Sequence, residues 1–335
     1  MGIRILKAGM LTTVQDLGRT GYQSQGFSVA GVMDVRSFKI ANLLLDNPEN
    51  EAVLEFTLIG PTLEFTSATI IAITGGDFQP TINDEPAPMY TAIYVNKGDV
   101  LKFGSAKTGS RGYIAFSSYL DIPVVMGSRC TNLKSKIGGF KGRKLQAGDY
   151  IGFRIKRRYL RFFLSRKLEQ EKFDDDSVKV RVVMGPQDSK FSKQGIETFL
   201  SAEYTVTSEF DRMGCRLDGA YIAPKESSDI ISDGIAFGSI QVPAHGKPII
   251  LLADRQTTGG YAKIATVASV DIPKIVQRKT DHKIRFEAIT VQEAQKLYLK
   301  EQKELDKMRK IIHTPCKEVL DCRLVAKRLT KLFEE

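Results

Sequence analysis

The sequence of 335 residues predicts a mostly β protein with two closed or partly closed antiparallel barrels and a helical tail. Short runs of β-branched and aromatic residues, bounded by Gly, Asp and Pro, recur along most of the chain and are typical of strands. Helical patterns are few, which argues against a parallel sheet built from alternating strands and helices. The clearest strand runs are residues 68–74, 91–95, 112–116, 178–183 and 248–252.

A charged segment divides the chain into two stretches, and both contain short β-branched and aromatic runs bounded by Gly, Asp and Pro. Residues 154–167 carry seven Arg and Lys and no acid, whereas residues 168–176 carry five acids and one Lys. So abrupt a change in composition predicts a boundary between domains. We therefore predict an N-terminal barrel at 1–155, a charged linker at 156–177, a second barrel at 178–290 and a helical tail at 291–335.

Helices are predicted at only a few places. Asp34 can cap a helix whose apolar positions keep a helical stride, and the Asn-Pro pair at 47–48 would end it. Further helices are predicted near 192–200 and from about 291 to 312, with a last segment after 315. Three stretches of the form Gly-Asp-x-(Leu/Ile)-x-Phe, or a looser version of it, predict turns followed by strands at 98–103, 148–153 and 281–286.

The net charge of +10 is unevenly distributed, which weakens a nucleic-acid hypothesis. The basic stretch contains Tyr159, Phe162 and Phe163, which could stack on single-stranded nucleic acid, but no known nucleic-acid motif accompanies them. The acidic residues that follow partly neutralise this stretch. We interpret the segment as a solvated linker and predict no nucleic-acid partner.

The sequence predicts a cytoplasmic protein without a membrane segment. The first residues lack the long apolar stretch of a secretory signal, and the apolar run 248–253 is far shorter than the roughly 20 residues that a membrane helix needs. Four cysteines without paired spacing indicate free thiols in a reducing compartment.

The sequence contains no motif for a zinc site, a nucleophilic serine or a Walker A loop. The three histidines are scattered, and Cys316 and Cys322 are spaced C-x5-C, so four zinc ligands do not converge. No Gly-x-Ser-x-Gly motif is present. The glycine-rich stretch 138–144 does not match Gly-x4-Gly-Lys-(Ser/Thr). We therefore predict no set of metal ligands.

Four polar turns combine Arg with Asp, Ser or Thr and a flexible glycine. Arg can hold a carboxylate or phosphate by two parallel hydrogen bonds, and glycine lets backbone N–H groups approach an anion. Any single turn is also explained by an Asp–Arg contact that joins neighbouring strands. The last turn has more polar and glycine residues in sequence than a turn needs, so we predict an anion site there. The turns are residues 16–19, 127–129, 211–214 and 254–263.

A series of ordered motifs resembles the biotin-dependent carboxyltransferase family, over residues 2 to about 290. This family includes subunits of 5-oxoprolinase, also called KipI antagonists, subunits of allophanate hydrolase, and part of urea carboxylase. The motifs are LTTVQDLGRTGYQ at 11–23, GVMD at 31–34, GPTLEF at 60–65, GSR at 127–129, GGF at 138–140, MGPQ at 184–187, DRMG at 211–214, QVP at 241–243 and ADRQTTGG at 253–260.

The resemblance implies two cyclophilin-like β-barrel domains in a cytoplasmic hetero-oligomer, with a ligand site between the domains or against a partner. The implied partners are the KipI-type (B-type) and the A-type subunits of 5-oxoprolinase. The implied activity is the ATP-dependent opening of 5-oxoproline to glutamate, with ATP as cofactor and Mg²⁺ as its candidate companion. A lactam that carries a carboxylate needs a cationic clamp, which agrees with the anion site predicted above.

Matching the motifs residue by residue carries the site of the family onto the second domain. Arg212 or Arg255 is the implied anion clamp, and Lys263 the implied partner of a phosphate or carboxylate. Asp211 and Asp254 are implied as orienting groups or, where a metal is present, as its ligands. The implied substrate-binding residues are Gln241, Gln256, Thr257, Thr258, Gly259, Gly260 and Tyr261.

Two other functions stay open. The chain lacks the Ala-Met-Lys-Met motif of a biotin carrier, so no biotin is attached to it. A biotin-dependent carboxyltransferase acting on a urea-like amide would therefore receive biotin on another protein. A KipI antagonist would instead bind and sequester a kinase inhibitor without catalysis.

Overall fold

The computed structural model describes residues 1–156 and 159–315. Strands far outnumber helices in these residues, so the prediction of a mostly β protein is confirmed. The strands of the N-terminal half are β1 (Gly2–Lys7), β2 (Leu11–Gln15), β3 (Val53–Thr57), β4 (Thr62–Phe65), β5 (Thr69–Asp77), β6 (Thr81–Ile82), β7 (Glu85–Pro86), β8 (Ala92–Val95), β9 (Val100–Lys102), β10 (Thr108–Phe116) and β11 (Tyr150–Gly152).

These strands form two packed sheets, where the sequence predicts a closed or partly closed barrel. The first sheet has the order β11-β1-β4-β9-β6-β7 and the second the order β2-β3-β10-β5-β8. The second sheet is apolar on both faces, because alternate residues of a strand point to opposite sides. Leu54 and Ile73 face the core between the sheets, whereas Val53 and Ala72 face a helical layer. The second sheet is therefore the middle layer of three.

Two helices, both predicted from the sequence, form the outer layer, although the second is predicted only as a tail. Helix α1 (Val35–Leu44) begins after Asp34, whose side chain accepts a hydrogen bond of 2.9 Å from the Ser37 N–H. A later helix, Val291–Ile312, packs Leu305 and Ile312 into the same core as α1. The segment predicted after residue 315 lies outside the described residues.

The segment after the N-terminal half is less solvated than its charge suggests. Leu160 and Phe163 join the core around α1, although Tyr159 is exposed. Arg166 is fully buried and donates a hydrogen bond of 3.0 Å to the Leu44 carbonyl, at the end of α1. The last carbonyls of a helix lack partners within it, so a buried cation can satisfy them. The interpretation of this segment as a solvated linker is therefore corrected for Leu160, Phe163 and Arg166, whereas most of the residues 167–176 are exposed.

The second half contains a closed barrel of seven strands in the order β12-β19-β16-β17-β14-β13-β20. Its interior is one apolar cluster. The strands of this half are β12 (Ser177–Met184), β13 (Glu203–Phe210), β14 (Gly214–Asp218), β15 (Asp229–Gly234), β16 (Ser239–Gln241), β17 (Ile249–Leu251), β18 (Thr258–Tyr261), β19 (Lys263–Val267) and β20 (Lys283–Ala288).

One neighbouring pair in this barrel is parallel, where the sequence predicts antiparallel pairing throughout. Strands β12 and β20 run in the same direction, with Ser177 opposite Lys283 and Val182 opposite Ala288. An odd number of strands cannot alternate in direction all the way around a closed ring. A barrel of seven strands therefore requires at least one parallel pair.

Strands β15 and β18 form a separate two-stranded ribbon beside the barrel, and we call them the ribbon. Helix α2 (Lys193–Ser201) begins directly after its N-cap Ser192, where the sequence predicts a helix, and helix α3 (Ile272–Val276) precedes β20. The C-terminal helix Val291–Ile312 is α4. No helix in residues 1–156 and 159–315 has the length and apolarity needed to cross a membrane.

Candidate functional site

A cavity of about 540 Å³ lies beside the barrel, between the β13–β14 hairpin and strand β18 of the ribbon. We call it the hairpin cavity, and its volume is in the range of ordinary small-molecule sites. Phe210, Met213 and Leu251 contribute apolar surface to it. Half of the site residues predicted from the sequence line this cavity: Asp211, Gln241, Gln256, Gly259, Gly260 and Tyr261.

The other predicted residues are not part of the cavity lining. Thr258 begins the ribbon strand β18, and the Thr257 carbonyl accepts a hydrogen bond of 3.1 Å from the Ile235 N–H. These two threonines therefore fix the path of the ribbon and do not face the cavity. The remaining residues of this group are Arg212, Asp254, Arg255 and Lys263.

Arg212 is the centre of a buried charge network between the two halves of the chain. Its Nε and Nη2 atoms each lie 3.0 Å from an oxygen of Asp254. Its Nη1 atom donates to Glu55 on β3, and Nη2 also donates to the Gly31 carbonyl at 2.5 Å. Arg212, Glu55 and Asp254 are all at most 5% exposed. Because its donors are used inside the protein, Arg212 is suited to hold the site together and not to clamp a ligand.

The charges of this network support one another. Burial alone would lower the pKa of Arg212, but the attraction of Asp254 and Glu55 outweighs it and raises that pKa above its ordinary value. Glu55 in turn accepts hydrogen bonds from the Tyr113 hydroxyl at 2.9 Å and from the Met33 N–H at 2.8 Å. The network fixes Asp254, and the chain continues from there to four residues of the cavity lining, which are Gln256, Gly259, Gly260 and Tyr261.

Asp211 holds the turn at the edge of the hairpin cavity. Its Oδ1 atom accepts hydrogen bonds from the Met213 N–H at 2.7 Å and from the Gly214 N–H at 3.1 Å. This is the turn-forming role that Asp commonly plays. Asp211 is exposed and belongs to the lining of the cavity.

Arg255 is a half-buried cation with neutral partners. Its Nε atom donates to the Ile235 carbonyl at 3.0 Å, and Nη1 donates to the Leu252 carbonyl at 3.2 Å. Its guanidinium also lies over the Phe237 ring, 5.5 Å from the centroid. Burial lowers its pKa. Of the two arginines predicted as clamps, Arg255 is the one whose charge no carboxylate of the described residues neutralises.

Lys263 connects the barrel to the ribbon. It is 2% exposed, and its Nζ atom lies 3.2 Å from Asp233 on β15, although the angle is not that of a hydrogen bond. Asp233 also accepts a hydrogen bond of 3.0 Å from Gln187. The Gly234 N–H, Lys263 and Gln187 together lower the pKa of Asp233. Lys263 therefore helps to hold a ribbon carboxylate in its charged form.

Gly259 is needed where Gln241 approaches the ribbon. A Cβ atom at position 259 would lie 2.7 Å from Gln241 Nε2 and 2.8 Å from Ile235 Cδ1. At Gly260, the nearest atom to such a Cβ is the Ile230 carbonyl oxygen, at 3.5 Å. The Gln241 amide donates a hydrogen bond of 3.2 Å to the Tyr261 carbonyl. Its amide oxygen has no hydrogen-bond partner within the described part of the chain, so it can accept one from a ligand.

Sequence reasoning missed Arg216, which also lines the hairpin cavity. It lies on β14 and forms an exposed ion pair of 2.9 Å with Glu209. The signal was present, because Arg216 is two residues after Gly214 and alternate strand residues share a face. The predicted motif ends at residue 214, two positions before Arg216.

The hairpin cavity does not fit a magnesium triphosphate. Its charged lining consists of Glu209, Asp211 and Arg216, and the single cation is already paired with Glu209. A triphosphate requires several cations or backbone donors around its oxygens. In residues 1–156 and 159–315, no group of three or more His, Cys, Asp or Glu could hold a metal ion.

Comparison with known proteins gives consistent matches over most of the chain. The family described as "Carboxyltransferase domain, subdomain A and B" matches residues 25–288. The chain is 36% identical to the C-type subunit of 5-oxoprolinase from Haemophilus influenzae, over 92% of this chain and 98% of that protein. It is 31% identical to the C-type subunit of 5-oxoprolinase from Escherichia coli, over 93% of this chain and 99% of that protein.

A solved structure shares the fold. The crystal structure of the urea amidolyase of K. lactis matches 92% of this chain with a TM-score of 0.84 and 28% sequence identity. The match covers 20% of that much longer chain. The architecture described above is therefore also found as one part of a larger protein.

Proposed function

The chain belongs to the family of carboxyltransferase domains with subdomains A and B, and from this membership we propose that it is one of the subunits of an ATP-dependent 5-oxoprolinase. In this proposal the enzyme opens 5-oxoproline to glutamate and is active only with partner subunits. The partners are the KipI-type (B-type) and the A-type subunits of 5-oxoprolinase, in a cytoplasmic hetero-oligomer. The two relatives named as 5-oxoprolinase subunits, with nearly full-length matches, support it.

The composition of the hairpin cavity is the structural observation that carries the proposal. 5-Oxoproline is a five-membered lactam with an amide N–H, a carboxylate and apolar methylene carbons in its ring. The Gln241 oxygen can accept the amide N–H, Arg216 can bind the carboxylate, and Phe210 and Leu251 can pack on the ring. The Arg216–Glu209 pair is exposed, and exposed pairs contribute only about 0–1 kcal/mol. A ligand carboxylate can therefore replace Glu209.

The predicted catalytic residues take different parts in this proposal. Arg212 and Asp254 position the loop that lines the cavity, and Asp211 shapes its edge. Arg255 supplies a cation without a neutralising carboxylate, and Lys263 holds the ribbon through Asp233. We keep Arg255 as the candidate for binding negative charge that develops during ring opening, because fixed cations stabilise such charge.

We place ATP and its Mg²⁺ on a partner protein of the complex. The charged lining of the hairpin cavity is unsuited to a triphosphate, and the sequence contains no Walker A motif. In this proposal the chain contributes the binding of 5-oxoproline and the groups that orient it.

Binding of 5-oxoproline to the assembled complex tests the proposal. We expect Arg216→Ala to weaken binding about 10- to 100-fold by calorimetry, because a charge-assisted hydrogen bond contributes about 1.5–3 kcal/mol. The matched control is Arg285→Ala, since Arg285 also forms an exposed ion pair of 2.9 Å on this barrel, with Glu203, away from the cavity lining. Equal affinities for the two variants would count against the hairpin cavity as the binding site.

Urea carboxylation is the second candidate, because the fold also occurs in a urea amidolyase. A complex that turns over a urea-like amide only with a biotinylated carrier would identify this activity. A third candidate, the KipI antagonist, would show stable co-purification with a KipI-type protein and no turnover of either substrate.

A further inference from the structure

Arg19 is a buried cation outside the hairpin cavity, in one of the four polar turns singled out from the sequence. It is 1% exposed, and its Nη2 atom donates a hydrogen bond of 2.8 Å to the Cys130 carbonyl. Its Nε and Nη1 atoms have no hydrogen-bond partner in the described residues. These two nitrogens carry three of the five N–H donors of a guanidinium.

The nearest acid in sequence does not neutralise Arg19. Asp16 Oδ1 accepts hydrogen bonds from the Gly18 N–H at 2.8 Å and the Ser128 hydroxyl at 2.6 Å. Asp16 Oδ2 accepts one of 2.6 Å from the Arg129 N–H. Within residues 1–156 and 159–315, Arg19 forms no ion pair with any carboxylate. Asp16 thus joins two of the predicted turns and leaves the Arg19 charge unpaired.

The chain is shaped closely around this guanidinium. At Gly138, a Cβ atom would lie 2.4 Å from Arg19 Nη2 and 2.2 Å from the Cys130 carbonyl oxygen. Gly138 also has a φ of +65°, a conformation that disfavours other residues. The glycine-rich stretch that fails to match a Walker A loop therefore has a specific role, which is to admit the Arg19 side chain.

A surface loop begins and ends beside Arg19. The Arg19 N–H donates to the Val29 carbonyl at 2.8 Å, so residues 20–28 leave and return at one point. Most of this loop is exposed and it contains no strand. Its end contacts the barrel where the Ser28 hydroxyl donates to the Ala253 carbonyl at 3.3 Å, directly before Asp254. The loop can be displaced without breaking either sheet of the N-terminal half.

We propose that Arg19 anchors an oxyanion-binding site, separate from the hairpin cavity, that takes a carboxylate or phosphate group when the loop 20–28 moves aside. A buried ion without a partner is unfavourable, and such a group in a native protein is normally satisfied by a bound ion or ordered water. A guanidinium with three unused donors and no opposing carboxylate matches an oxyanion. This site does not depend on the proposed 5-oxoprolinase activity.

Thermal unfolding of the full chain in defined anions tests this site. The probes are inorganic phosphate and acetate, each compared with chloride at equal ionic strength. We expect the Tm of the unmodified chain to rise with one or both probes, by about 4 °C at roughly 100 times the dissociation constant. A response to phosphate alone identifies a phosphate site, and a response to acetate identifies a carboxylate site.

In Arg19→Met, we expect the anion-dependent rise in Tm to disappear. The Tm of this variant in chloride should equal or exceed that of the unmodified chain, because an unpaired buried cation has been removed. Arg4→Met is the matched control, since Arg4 is an exposed arginine on β1 and its variant should keep the rise. If Arg19→Met does not fold, Arg19→Lys serves, and we expect phosphate to bind it at least about 10-fold more weakly. An unchanged Tm in both probes, or a full rise in Arg19→Met, would overturn the proposal.

Discussion

Replacing Arg212 by alanine leaves two buried carboxylates without their shared cation. Glu55 is 2% exposed and Asp254 is 5% exposed, and both now bond to the Arg212 guanidinium. Removing one member of a buried ion pair costs about 3–5 kcal/mol, because the remaining charge stays buried and unpaired. We expect Arg212→Ala to lower the free energy of unfolding by that amount.

The corresponding shift in Tm follows from the length of the chain. At about 2.1 cal/mol/K per residue, 335 residues give an unfolding entropy of about 0.7 kcal/mol/K, so the loss corresponds to about 4–7 °C. Thermal unfolding followed by circular dichroism measures this shift. Arg216→Ala is the control, because its ion pair with Glu209 is exposed, and it should change stability by at most about 1 kcal/mol.

The double replacement Glu55→Gln and Arg212→Met tests whether the cost of Arg212→Ala comes from the unpaired charge of Glu55. We expect the double variant to be more stable than Arg212→Ala, because one unpaired charge has been removed. The reasoning is refuted if Arg212→Ala unfolds within about 1 °C of the unmodified chain. Such a result would show that the ion pairs of Arg212 with Glu55 and Asp254 contribute little to stability.

Three further predictions concern the rest of the molecule. Ile312→Ala should lower the free energy of unfolding by about 2–5 kcal/mol in a denaturant titration, because Ile312 is fully buried in the core around α1. An unchanged free energy would show that α4 does not pack against this core. Burial opposes ionisation of Asp271, but its hydrogen bonds with Arg181 outweigh burial and hold the pKa of that carboxyl below its usual 3.8. The ionised carboxylate therefore stabilises the folded chain above its unfolded pKa, and this stabilisation is lost as the pH falls through the lowered pKa. Asp271→Asn should therefore be less stable near about pH 7 and lose less stability on acidification to about pH 3, and a parallel loss in both proteins would contradict this. Burial raises the pKa of the Cys215 thiol to about 12 and also raises that of Cys130, so a thiol reagent near about pH 8 should modify these two only after unfolding, as mass spectrometry of labelled peptides would show.

Local signals in the sequence predict much of the fold. Asp34 is an N-cap followed by a helical stride, and α1 begins at the next residue. Runs of β-branched and aromatic residues indicate the strands, and α4 begins at Val291, where the sequence predicts it. These features are predictable because the residues that cause them are neighbours in the chain.

Long-range features could not be predicted in the same way. Glu55 and Arg212 are separated by 157 positions, and nothing near either residue identifies the other as its partner. The burial of Arg166 depends on the end of α1, which lies more than 100 residues earlier in the sequence. The structure places the predicted clamp Arg212 in a buried ion-pair network, while Arg216, just beyond the motif, lines the cavity.

Release of glutamate from 5-oxoproline by the reconstituted complex tests the proposed function most directly. The assay compares the complete complex with ATP, the complex without this chain, and complexes carrying Gly259→Ala or Gly260→Ala. We predict turnover only when this chain is present, and a kcat/KM at least about 10-fold lower for Gly259→Ala, whose new Cβ would displace Gln241, with little change for Gly260→Ala. Turnover without this chain, or equal activity of the two glycine variants, would contradict the assignment of the hairpin cavity.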